Sequence, residues 1–401
     1  MRKIILLPIF FVLCMFANAQ NHRVFHFDFY GNPVNVSVAP SFHVPYTSSL
    51  SNQSVQSFYS AISSSEYEPI VEALTSFREQ HQLDDWLYYQ LIRATAERIS
   101  PKAENYHRYT LYKWFLLLKS GYASTLSVSE NKLLLYVQSD EAVYNIPGQN
   151  LNGKNYVCLN YHDYNNNIDF SKEQFSKLLV DVPATPKPFS YKINRLPDFD
   201  EDSYEDKELR FEYYQTGYNF KVKLNRQVKK IFANYPVVEY ESYFNIPLSN
   251  ETYSSLIPLL KENIKRKSQK DGIDYLMRFT RYAFLFETDT KVFGAEKRLS
   301  PEQTLLSEYS DCEDRAALFF YLVKEIYNLP MIVLSYPDHI TIAVGFDKPI
   351  KNPIVYNGNA YWVCEPTPQK RDLRVGQLLP SLRKQPYEVV YAYHPSAVAI
   401  K

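Results

Sequence analysis

Three residues near the C-terminal end have the types and spacing to support acyl transfer: a cysteine, a histidine and a carboxylate. Cys312 lies in the run Tyr309-Ser310-Asp311-Cys312-Glu313-Asp314-Arg315. His339 follows 27 residues later (339 − 312), and Glu365 a further 26 (365 − 339). A thiolate is a nucleophile, an imidazole can take its proton, and a carboxylate can orient the ring and stabilise its protonated form. Each residue also has a plainer use. A free cysteine usually packs in a core, and a histidine at a strand end is often merely solvated. The neighbours of Cys312 argue against packing, because Asp311, Glu313, Asp314 and Arg315 make a poor core segment.

The surrounding elements must bring the three together. Ser300-Pro301-Glu302 predicts a short helix with Ser300 as its N-cap and Pro301 in its first turn. After it, Ala316, Leu318, Phe319, Leu322 and Ile326 recur at helical spacing. Ser310 or Asp311 can cap that second helix, which puts Cys312 in its first turn. Unpaired N–H groups and the helix dipole there favour a thiolate and can also receive an oxyanion. Glu313 and Asp314 oppose the thiolate, so the cysteine needs a histidine partner. His339 opens the apolar strand Ile340 to Phe346 after the turn Tyr336-Pro337-Asp338. Asn357-Gly358 predicts a type I′ hairpin, and the strand that follows ends at Glu365. Alternation along it sends Cys364 to the opposite side, so Cys364 and Cys158 read as core residues.

At its start the chain carries an address. Arg2 and Lys3 precede an apolar run from Ile4 to Phe16, and Ala17-Asn18-Ala19 has the small-x-small form of a cleavage site. Residues 1–19 therefore read as a signal peptide, cut before Gln20. Cys14 raises the alternative of a lipoprotein anchor, but Leu13 stands where a small residue is needed, which favours release. No later run reaches the roughly 20 apolar residues of a membrane helix, so the expected location is periplasmic or secreted. With 44 Lys+Arg against 44 Asp+Glu, the chain has no field for nucleic acid or a charged membrane surface. The basic run Lys261 to Lys270 reads as a solvated helix end. Aromatic residues reach 16%, with 35 Tyr; cores and strand faces account for many, and a Tyr-lined surface gripping peptide or glycan stays open. No metal-ligand cluster, phosphate loop or nucleotide fingerprint is apparent, so no cofactor is expected. Cleavage leaves Cys158, Cys312 and Cys364, an odd number that keeps at least one thiol free.

The chain also repeats itself. Leu126-Ser-Val-Ser-Glu-Asn-Lys-Leu-Leu-Leu-Tyr aligns without a gap on Leu334-Ser-Tyr-Pro-Asp-His-Ile-Thr-Ile-Ala-Val, an offset of 208 (334 − 126). Asn152-Gly-Lys-Asn-Tyr-Val-Cys158 aligns on Asn357-Gly-Asn-Ala-Tyr-Trp-Val-Cys364 with one residue inserted. Two homologous α+β domains are expected, 20–170 and 206–401, joined by a linker over 171–205. Pro183, Pro186, Pro188, Pro197 and the acidic run Asp198 to Glu208 suggest that the linker lies extended on the surface. In the first copy Asn131 falls on His339, Leu159 falls on Glu365, and no cysteine occurs near Glu104 to Arg108, so that copy lacks the chemistry.

Ser-Asp-Cys-Glu-Asp-Arg-Ala before a helix, Asp-His-Ile-Thr-Ile-Ala-Val, and Tyr-Trp-Val-Cys-Glu-Pro-Thr resemble the three motif blocks of the transglutaminase-like superfamily of cysteine peptidases, amidases and transglutaminases. The resemblance covers roughly residues 300–380. It implies two tandem papain-like domains of helices on antiparallel sheet, the first degenerate, and a Cys312–His339–Glu365 triad with no cofactor. Aspartate is the more usual third residue, and Glu365 is one methylene longer. The family's oxyanion donor has Gln303 as its candidate. The implied activity is a thiol hydrolase cleaving peptide or isopeptide bonds in the cell envelope or outside the cell. A transamidase resolving the same acyl-enzyme with an amine, and a non-catalytic binding or assembly protein, are the alternatives.

Overall fold

The computed structural model describes residues 22–47, 49–178, 186–287, 291 and 297–395. The expected signal peptide, residues 1–19 with Cys14, lies outside them. The chain folds as a mixed α+β protein whose two halves follow the same order of elements. Each opens with a two-stranded antiparallel hairpin, Arg23–Phe29 with Asn32–Val38 and Tyr204–Tyr213 with Thr216–Asn225. Helices follow, and the last in each half runs into a five-stranded sheet. In the first half this helix is Tyr106–Lys119, capped by Asn105, whose side chain accepts from the Arg108 N–H. In the second half it is Cys312–Tyr327. Both helices are buried nearly all round, from Tyr109 to Leu118 and from Asp314 to Val323, which is why their sequences show so little amphipathic stripe.

The two sheets have the same strand order. The first runs Gly148–Leu151, Lys154–Cys158, Leu133–Gln138, Ser124–Val128, Ser176–Lys177; the second runs Ile354–Tyr356, Asn359–Cys364, His339–Val344, Met331–Tyr336, Glu388–Tyr393. Asn152-Gly153 and Asn357-Gly358 turn corresponding hairpins with positive φ at both positions (53° and 79°, 47° and 77°), as a type I′ turn requires. One connected apolar core runs through both halves, containing Leu111 and Phe115 beside Leu318 and Phe319. Val143–Tyr144 pairs with Val237–Val238 across the seam, and Trp86 Nε1 donates to the Ile231 carbonyl at 2.8 Å. Among the described residues no helix is long and apolar enough to cross a membrane.

Two expectations are corrected. The segment after Pro186 does not lie over the surface: Phe189, Tyr191, Ile193, Leu196 and Phe199 are all buried in the core. Their near-alternate spacing lets an extended chain bury one side, and its N–H groups find partners in side chains. Ser190 N–H donates to Asp85, Tyr191 N–H to Glu141, and Asn194 N–H to Asp84.

The alignment of the two sheets is also off by one residue. Cys158 sits with Leu134 and Tyr136 on one face of its sheet, where Val363 sits with Tyr361 and Ala343 on the other. Cys158 pairs with Tyr136, and Val363 with Ala343. Cys364 instead faces the main core, as Leu159 does. A one-residue slip sends every side chain to the wrong face, so burial selects this register. Asn160 therefore stands where Glu365 does, and Lys132 where His339 does, in place of Leu159 and Asn131.

Candidate active site

Cys312 is the first residue of its helix, and Asp311 is the N-cap. Asp311 Oδ1 accepts from the N–H groups of Glu313 at 2.9 Å and Asp314 at 3.1 Å, leaving the N–H of Cys312 itself outside the cap. The turn before it is held by Arg315, which is wholly buried. Its guanidinium donates to the carbonyls of Ser310 (3.3 Å), Thr280 (3.0 Å), Arg281 (2.7 Å) and Phe284 (3.1 Å). Asp314 Oδ1 accepts from the Leu299 N–H at 2.8 Å, which fixes the helix to the short helix Pro301–Leu306.

His339 begins its strand opposite Tyr336. Its Nε2 lies 2.8 Å from Glu365 Oε2, and the carboxylate side chain is only 1% exposed. The other oxygen of Glu365 accepts from the Thr367 N–H at 2.9 Å. A carboxylate only accepts, so Nε2 carries the proton and Nδ1 is the ring nitrogen left for other work. Arg281 ties down the backbone behind the acid. Its guanidinium donates to the Glu365 carbonyl, to Asp372 at 2.7 Å and to the Leu373 carbonyl at 3.1 Å.

Cys312 and His339 open on the same cleft, of about 610 Å³, which Tyr240, Phe286, Ser335, Tyr336, Asp338 and Thr367 also line. Among the described residues no hydrogen bond joins Cys312 Sγ to the imidazole; the sulfur's polar contact is with the N–H of Ile340, the residue after His339. Burial pushes the Cys312 thiol up to about 12, the carboxylates of Asp311, Glu313 and Glu365 push the same way, and the Ile340 N–H opposes them. Burial first, and the anionic Asp311 cap second, work against the thiolate expected at a helix N-terminus.

Gln303 is not in the cleft. Its Oε1 accepts from the Ser300 N–H at 3.0 Å and closes a capping box with Ser300, so its side chain is structural. Arg281, Arg315 and Tyr240 escaped the sequence reading. The only local signal was an arginine three residues after the cysteine, at the head of the apolar run Ala316 to Val323. Cys158 and Cys364 are buried, and burial raises both thiols.

In the first half, Asn160 and Lys132 do other work. Asn160 accepts from the Leu135 N–H and donates to the Leu133 carbonyl, both at 2.8 Å, so it ties the strand together where Glu365 holds a histidine. Lys113 is a further charge that the sequence reading missed. It is wholly buried, with Nζ 3.8 Å from Asp163 Oδ2 and over the ring of Tyr109. Burial lowers it to about 7, against the pull of Asp163. Among the described residues no group of three or more His, Cys, Asp or Glu side chains could hold a metal ion. Compared with protein-family models, with curated proteins and with solved structures, the chain finds no match.

Proposed function

We propose that this chain is an exported thiol acyl-transfer enzyme of the transglutaminase-like kind, acting on a peptide or isopeptide bond through Cys312, His339 and Glu365. The observation that carries this reading is the 2.8 Å contact of His339 Nε2 with the buried Glu365 carboxylate, on a cleft shared with Cys312 at a helix N-terminus. The matched order of hairpin, helices and five-stranded sheet supports a duplicated, papain-like architecture. In it the first copy carries Tyr106, the first residue of its helix, with Lys132 and Asn160 at the triad positions, and has no thiol there.

In the reaction, Cys312 Sγ attacks the acyl carbon as His339 Nδ1 takes the thiol proton. A C–S bond forms and the carbonyl oxygen becomes an oxyanion beside the helix N-terminus. When the tetrahedral centre collapses, the C–N bond breaks and the imidazolium gives its proton to the leaving amine. Glu365 holds the ring in the productive tautomer and stabilises the imidazolium. Water, deprotonated by the same imidazole, then releases the acid and restores the thiol. An amine in place of water makes the same acyl-enzyme a transamidase intermediate.

Labelling of the folded mature protein with an iodoacetamide probe tests the assignment. Modification should fall on Cys312, vanish in Cys312→Ala, and spare Cys158 and Cys364. Labelling confined to Cys158 or Cys364 would mean that the nucleophile is misidentified.

A further inference from the structure

Around Cys312 the cleft is anionic on every charged side. Asp311, Glu313 and Asp338 line it, and among the described residues no lysine or arginine does. Glu365 lies beneath, bound to His339. Two neighbouring cations are turned to other partners. Arg298 pairs with Glu313 at 3.2 Å, and Arg315 spends its guanidinium on four backbone carbonyls. Asp311 is committed to the helix cap. Asp338 is exposed at the turn that leads into His339; it lines the cleft and among the described residues has no such commitment. The remaining walls include the aromatic rings of Tyr240, Tyr336 and Phe286. One of these already receives a cation: the Arg298 guanidinium sits 4.2 Å from the Tyr240 ring centroid. Carboxylates and aromatic faces in one cleft form a surface for a positive charge, because both attract it and the protein walls concentrate the field.

We propose that the cleft selects an acyl substrate that carries a positive charge next to the reacting bond, such as a lysine or arginine side chain or a free amino group. The proposal rests on the thiol reading of Cys312. An anionic or strongly acidic peptide is disfavoured by the same field. A bound cation also offsets the carboxylates that, after burial, hold the thiol protonated, so the right substrate eases formation of the nucleophile that attacks it.

Small charged thiol reagents measure this field without knowledge of the substrate. The folded mature protein is treated at low ionic strength with three methanethiosulfonates, a trimethylammonium-ethyl, a neutral methyl and a sulfonatoethyl reagent. Each forms a mixed disulfide with the thiolate and releases a sulfinate. Rates at Cys312, read by peptide mass spectrometry, are divided by the rates with free glutathione corrected for its own charge. The cationic reagent should exceed the anionic one by about tenfold or more, and the ratio should shrink as salt screens the cleft. Asp338→Asn, a neutral change at an exposed turn, should cut the ratio about threefold while Cys312 still reacts with the neutral reagent. Equal corrected rates for the two charged reagents, or a faster anionic one, with Cys312 labelled, would overturn the charge selection and leave the thiol reading standing. Failure of all three to label Cys312 in the folded protein, with labelling restored on unfolding, would remove the thiol reading and this inference with it.

Discussion

Arg315, on the helix that begins with Cys312, donates to the backbone carbonyl of Arg281 at 2.7 Å, and the Arg281 side chain in turn holds the carbonyl of Glu365. Two buried arginines thus join the start of the cysteine helix to the end of the acid's strand. Neither touches the reacting atoms. They fix how far apart those atoms stand.

Removing Arg315 orphans four buried carbonyls at once. Arg315→Met should destabilise the protein by on the order of 3–5 kcal/mol, measured by urea unfolding. A loss below about 1 kcal/mol would show that the backbone around Ser310 and Phe284 holds itself without the guanidinium. Arg281→Lys keeps the charge near Asp372 but cannot span Glu365, Asp372 and Leu373 together. It should therefore lower reactivity at Cys312 more than it lowers stability.

Glu365→Gln keeps the shape of the acid and removes its charge. The amide can present its NH2 to Nε2 and favour the wrong ring tautomer. Turnover, or the rate of Cys312 modification by a substrate-like acylating probe, should drop by about 10² to 10⁴ with little change in melting temperature. Unchanged rates would place Glu365 outside the catalytic group.

The pH dependence of simple alkylation follows from the raised thiol. With its value pushed to about 12 by burial and then by Asp311, the reactive thiolate fraction grows with each unit of pH across the neutral range. Iodoacetamide labelling of Cys312 in the resting protein should rise from pH 6 to pH 9 without a plateau. A plateau reached below pH 7 would instead reveal a thiolate–imidazolium pair already formed.

Lys113 makes a stability prediction with a definite sign. Its folded value of about 7 lies below the ordinary 10.5. Between those values the unfolded chain holds a proton that the folded chain does not, so stability rises with pH across that window. The cost of burying Lys113 is therefore fully present below about pH 7. Lys113→Met should raise the melting temperature by several degrees at pH 6 to 7, and the advantage should fade toward pH 10. Asp163 keeps Lys102 at 2.6 Å in the variant. A gap of constant size from pH 6 to pH 10 would contradict the assignment.

What could be read from the chain alone was local. An Asp before Cys312 caps a helix because its short carboxylate reaches N–H groups two and three residues on. Ser300 and Gln303 form a capping box, and the two Asn-Gly pairs turn hairpins, for equally short-range reasons. The mixed α+β class followed from the alternation of helical and strand patterns. The approach of His339 to Glu365 was an expectation drawn from neighbouring strands, and the 2.8 Å contact is what the fold supplies. Other features had no local signal. The register that puts Cys158 and Cys364 on opposite sheet faces depends on what covers each face, and a one-residue error is invisible in sequence similarity. The burial of Phe189 to Phe199 depends on side chains such as Asp84 and Glu141, more than 45 residues away, to satisfy its backbone. The state of the Cys312 thiol was decided last. A helix N-terminus favours a thiolate and the flanking acids Asp311 and Glu313 oppose it, which the sequence shows; burial, the largest influence, and the Glu365 carboxylate reach the sulfur only in the folded chain.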